Sequence, residues 1–175
     1  MTIRPLHLLG SPVLREESTE VGEINGEIRQ LVEDLFDTMK AADGIGLAAN
    51  QLGIATRVAV VEVDGDPLVL INPTITSTEG NDKAEEGCLS IPDIYGDVDR
   101  PLSVSIETMT LEGTRISVQA TELRARAIQH EIDHLNGILF FDHLSPLKRR
   151  MLMAKWRKSR KDKPGFILEA EPEKF

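Results

Sequence analysis

The chain has one cysteine, Cys88, among 175 residues. A single thiol excludes an internal disulfide framework and fits a reducing compartment. No run approaches the roughly 18 consecutive apolar residues of a spanning helix. The opening MTIRPLHLLGSPVLREE lacks the apolar stretch of a secretory signal. Its acids, from Glu16 onward, do not suit a transit peptide. The expectation is a soluble cytoplasmic protein with no membrane association. An excess of positive charge is also missing. Lys and Arg number 20 against 29 Asp and Glu, a net charge of −9, so a polyanion is repelled at long range and DNA binding is not expected. There is no internal repeat. Hydrophobic residues at 41% and charged ones at 28% are ordinary globular usage, and the length suits one domain with its own core.

Ile28, Leu31, Val32, Leu35, Phe36 and Met39 follow helical spacing, with Asn25 as N-cap and a stop before Asp43-Gly44. Thr56–Val63 and Pro67–Pro73 are β-rich and flank Asp64-Gly65-Asp66, a hairpin signal. A second hairpin is expected where Leu102, Val104 and Ile106, then Ile116, Val118 and Ala120, alternate on either side of Glu112-Gly113. From Thr121 the pattern turns helical, and Ser145-Pro146 reads as the cap and first position of a last helix. Strands and helices are segregated, which predicts an α+β fold. Antiparallel sheets should pack around a central helix, with further helices near each end. Residues 1–175 are read as one catalytic domain, with 164–175 as a loosely ordered tail.

That central helix contains HEIDHLNG, His130 to Gly137. His-Glu-x-x-His on a helix puts two imidazoles on one face, with a carboxylate about 100° away that can reach water without ligating. Catalytic sites of this type take three protein ligands and leave one position open. Peptidases of the extended motif place a third histidine six residues after the second. Here that residue is Phe140, and His143 comes three later. On a continued helix His143 would face about 180° away from His134. Cys88 in EEGCLS would serve as a thiolate. The spacing alone leaves Cys88, His7, His143 and scattered carboxylates as alternatives. It also leaves a zinc endopeptidase, or a metal-dependent sensor without catalysis, as rival functions.

Three stretches in order, GIGLAANQ (44–51), EGCLS (86–90) and QHEIDHLNG (129–137), resemble the motifs of the bacterial-type peptide deformylase family. The resemblance extends over most of the chain. It implies hydrolytic removal of the formyl group from the N-terminal methionine of nascent proteins. Cys88, His130 and His134 would bind one divalent metal, Fe2+ by family preference, with Ni2+, Co2+ or Zn2+ as substitutes. Metal-bound hydroxide would attack the formyl carbonyl, with Glu131 as general acid/base. Gln51 and the Leu89 N–H would stabilise the oxyanion, and Gly46 would offer its backbone to a strand-like substrate. Ile45 and Ala127 would line the methionine pocket. Glu86 and Arg100 would pair beside the site, and Gln129 and Asp133 would support the histidines or nearby loops. Tyr95 stands where some relatives carry Arg, which bears on preference beyond methionine. The basic segment 148–163, with Asp162 its only acid, matches the place where bacterial relatives contact the ribosome. A monomer is expected.

Overall fold

The computed structural model describes residues 1–168. β1 (Leu6–His7) and a 3-10 turn (Pro12–Arg15) precede α1 (Gly26–Ala41). The Asn25 side chain accepts from the Ile28 N–H at 3.1 Å, satisfying one of the orphan donors at the start of α1. β2 (Gly46–Ala48) leads through a 3-10 turn (Ala49–Leu52) to β3 (Val58–Val63) and β4 (Asp66–Ile71), a hairpin closed by Asp64-Gly65. β5 (Thr74–Glu79), β6 (Asp82–Cys88) and β7 (Ile91–Arg100) follow, then the hairpin of β8 (Ser103–Met109) and β9 (Arg115–Thr121). α2 (Glu122–Leu135), a 3-10 turn (Phe140–His143), α3 (Pro146–Ser159) and β10 (Ile167–Leu168) complete the described residues. Ser145 caps α3 by accepting from the Lys148 N–H at 3.3 Å.

The strands pair antiparallel as β2-β3-β4, β5-β8-β9, β6-β7 and β1-β10. The fold is α+β, as read. β3 explains the central layering. Val58 and Val60 pack toward Leu31, Leu35 and Met39 of α1, whereas Ala59 and Val61 pack toward Ala125, Ile128 and Ile132 of α2. Alternate side chains point to opposite faces, so a strand covered on both sides reads as a near-continuous apolar run. α2 is thereby fixed between β3 and β8, where Val104 and Ile106 complete its packing. A separate cluster of Ile91, Ile94, Val98, Phe140, Phe141 and Trp156 seats α3 against β7.

Two features differ from the sequence reading. β6 and β7 form a hairpin that the sequence pattern does not predict. Positions 94, 96, 98 and 100 of β7 are the inward set, but they hold Ile, Gly, Val and Arg, which conceals the two-residue period. The second concerns the expected loose tail. Its first part is anchored: Ile167 and Leu168 pair with His7 and Leu6, and the Leu8 N–H donates to the Phe166 carbonyl at 2.6 Å. Residues 169–175 lie outside the described residues. Among those described, no helix is long and apolar enough to cross a membrane.

Candidate metal centre and active site

α2 carries His130 and His134 one turn apart, and the β6–β7 reversal delivers Cys88 to them. Cys88 Sγ lies 3.3 Å from His134 Nε2, which lies 3.1 Å from His130 Nε2. All three donor atoms fall within 4.8 Å of one another, the one such group among the described residues. The donor set fits a single divalent cation. His130 Nδ1 faces Glu86 Oε1 at 2.9 Å, so its proton belongs there and the Nε2 lone pair turns inward. His134 Nε2 and the thiol face the same point. Three converging soft or borderline donors suit iron, cobalt, nickel or zinc.

The remaining alternatives for a third ligand lie elsewhere. α2 ends at Leu135, and the chain turns at Asn136-Gly137. Gly137 adopts φ +72°, and a Cβ there would meet the Arg15 carbonyl oxygen at 2.6 Å. The turn brings His143 back to Asp133, with Nε2 to Oδ2 at 2.7 Å. His7 bonds Ser11 Oγ through Nδ1 at 2.8 Å.

A buried ionic network stands behind His130. Arg100 donates to both Glu86 oxygens and, through Nη1, to Asp133 Oδ2 at 2.9 Å. Arg126 also donates to Glu86 Oε2 at 2.6 Å and to the carbonyls of Val98 and Asp82. Burial by itself raises the Glu86 pKa, but the hydrogen bonds from His130 and Arg100 outweigh it and hold the carboxyl at about 2. Gln129 supports a loop by donating to the Pro101 carbonyl at 3.1 Å. Arg126 is absent from the sequence reading, yet a signal was present. It lies four residues before His130, on the inward face of α2, where an arginine needs a buried anionic partner.

Glu131 is buried, and its Oε2 has no hydrogen-bond partner in the protein. Burial raises its pKa to about 7, and the charge of Glu86 reinforces the shift. A carboxyl poised near neutrality can both accept and return a proton. The Gly46 backbone lies directly against it. A Cβ on Gly46 would meet Glu131 Oε1 at 2.6 Å. Gln51 is oriented by two contacts: its oxygen accepts from the Ala48 N–H, and its nitrogen donates to Ser90 Oγ, each at 3.0 Å. The same nitrogen lies 3.7 Å from Cys88 Sγ and so faces the cluster.

These groups border a cleft of about 570 Å³. Ile45, Gly46, Gln51, Leu89, Ala127, His130 and Glu131 all line it. Thus most of the sequence-assigned residues line one cavity, with His134 and Arg100 behind the wall. Leu6 and Leu168 line it as well, and no local pattern in the sequence signalled either.

Residues 3–150 match the family model for polypeptide deformylase. The chain is 47% identical over 167 residues to a peptide deformylase of Rhizobium meliloti, covering 92% of this chain and 96% of that one. Its fold is similar to a peptide deformylase from Legionella pneumophila, with a TM-score of 0.85 and 38% identity over 93% of this chain and 100% of that one. It is also similar to the Ehrlichia chaffeensis enzyme solved in complex with actinonin, with a TM-score of 0.88, 34% identity and coverage of 94% and 100%. With a Cys-His-His cluster beside a buried glutamate, and relatives matched along nearly their whole length, the chain belongs to the polypeptide deformylase family.

Proposed function

We propose that Cys88, His130, His134 and Glu131 form the centre at which this hydrolase removes the formyl group from the N-terminal methionine of newly made proteins. The observation that carries the assignment is the convergence of one thiol and two imidazoles within 4.8 Å, next to a buried carboxyl. Cys88, His130 and His134 would hold one divalent cation, Fe2+ by preference, with Ni2+, Co2+ or Zn2+ as substitutes. That cation supplies Lewis acidity, polarising the formyl carbonyl and acidifying water.

The remaining steps belong to the protein. Glu131 accepts the proton of the attacking water and delivers it to the methionine nitrogen, so that an amine rather than an amide anion leaves. The Gln51 nitrogen and the Leu89 N–H donate to the developing oxyanion, a contribution of about 3 kcal/mol per donor in comparable sites. Gly46, having no side chain, lets its backbone approach both Glu131 and a peptide lying as an added strand. Ile45 and Ala127 form apolar walls for the methionine side chain, and Glu86, held by Arg100, orients His130.

Anaerobic purification with metal analysis, coupled to hydrolysis of a formyl-Met dipeptide, tests the assignment. A stoichiometric transition metal and turnover of the formylated peptide are expected. Cleavage of internal bonds in an unformylated peptide, without deformylation, would overturn it.

The same reading assigns the exposed cations of α3 and the residues after it, 148–163, to contact with the ribosome, and treats the enzyme as a cytoplasmic monomer. Lys148, Arg149, Arg150, Lys155, Arg157 and Lys158 are all exposed. Binding to phosphate through such residues weakens steeply with salt. Replacing Arg149, Arg150, Arg157 and Lys158 by Glu should abolish low-salt co-sedimentation with ribosomes, and unchanged sedimentation refutes the contact.

A further inference from the structure

We infer that Leu168, carried on β10, is a specificity-determining residue of the peptide cleft, contacting apolar side chains of the substrate just beyond the formyl-methionine. The inference rests on the deformylase reading of the cleft and extends it to a segment outside the matched residues 3–150.

Leu168 stands directly opposite Leu6 in the β1–β10 pair, and both line the cleft. Opposed residues in an antiparallel pair share a face, so the two leucyl side chains form one apolar surface. Ile167 stands opposite His7, projects to the other face and does not line the cleft. The position along the cleft follows from the chain after β1. The Leu9 N–H donates to the Ser90 carbonyl at 2.9 Å, which holds this strand pair beside the turn carrying Cys88, Leu89 and Ser90. The Leu89 side chain extends to Gly44, where a Cβ would meet Leu89 Cδ1 at 2.7 Å. Leu89 adjoins Cys88, and the Leu6–Leu168 wall, tied to the same turn, borders the same cleft.

Leu6 is 4% exposed and is part of the core, whereas Leu168 is 43% exposed. Leu168 is thus the member of the pair with apolar surface left to bury against a ligand. Its placement is secured by the Leu8 N–H to Phe166 carbonyl bond, by the Phe166 ring against Gly10, and by Arg160 Nη2 donating to the Gly165 carbonyl at 2.7 Å.

The test compares kcat/KM of the full-length enzyme on formyl-Met-Leu-Leu-amide and formyl-Met-Ser-Ser-amide. Leu168→Ser should lower the Leu-to-Ser preference about fivefold, through KM rather than kcat, as expected of one partly buried leucyl contact. Leu168→Met should restore the preference, and Ile167→Ser should leave it at the wild-type value. An unchanged preference in Leu168→Ser, or an equal loss in Ile167→Ser, overturns the inference while the deformylase reading stands. Failure of the wild type to deformylate either peptide overturns that reading and this inference together.

Discussion

Gly46 and Glu131 are in such close apposition that a methyl group on Gly46 would lie 2.6 Å from Glu131 Oε1 and 3.0 Å from both Cδ and Cγ. Gly46 does not use a positive φ. Alanine is therefore compatible with its backbone, and the substitution isolates the clash. We expect Gly46→Ala to fold and to retain its metal. A carboxyl displaced from its productive position should lower kcat by about 10²-fold. Steady-state kinetics with metal analysis checks this, and a kcat near wild type would contradict the role given to Glu131.

Proton transfer and metal binding should separate by mutation. Glu131→Gln should keep the bound metal but lose about 10²- to 10⁴-fold in kcat. Cys88→Ser should instead weaken metal retention, because a hydroxyl is a poorer donor than a thiolate for these ions. Metal content after dialysis against a chelator, measured beside activity, distinguishes the two.

The Glu86 cluster predicts coupled losses. Removing its charge leaves Arg100 and Arg126 buried with too little compensation, at a cost of about 3–5 kcal/mol. Its bond to His130 Nδ1 would also be weakened, which should reduce metal affinity about 10- to 100-fold. Urea unfolding and metal competition on Glu86→Gln measure the two effects. A variant of wild-type stability would show the network to be dispensable to the fold.

Asp142 supplies a pH-dependent element. Burial tends to raise its pKa, but the hydrogen bonds from Arg15 and the Leu139 N–H, with the charges of Arg15 and Arg149, hold it below the usual value. A depressed folded-state pKa means that the contribution is complete above the unfolded pKa, near 4. It is lost as pH falls through the folded value. Arg15 is well exposed, so solvent screening limits the contribution to about 1 kcal/mol. Unfolding free energies of wild type and Asp142→Asn should therefore differ near neutral pH and converge in acid. A constant difference at all pH values contradicts the ion-pair account.

Much of the local structure was legible in the sequence because its causes span only a few residues. The Asn25 and Ser145 caps, the Asp64-Gly65 turn and the shared face of His130 and His134 each depend on neighbours within about one turn. Motif resemblance then joined these pieces to a chemistry. Spacing by itself could not choose Cys88 over His143 as the third donor. The family resemblance selected Cys88; in the structure the chain turns at Gly137 and carries His143 to Asp133, while the β6–β7 hairpin brings Cys88 to His134. Arg126 was half-legible, since its place on α2 was readable but its partner Glu86 was not. Leu168 was not legible at all: only pairing of the two ends of the described chain puts it opposite Leu6 in the cleft. Helix phase, caps and turns follow from short-range sterics and hydrogen bonding. Contacts between distant segments follow from the packing of the whole core, to which each residue contributes weakly and none alone specifies the partner.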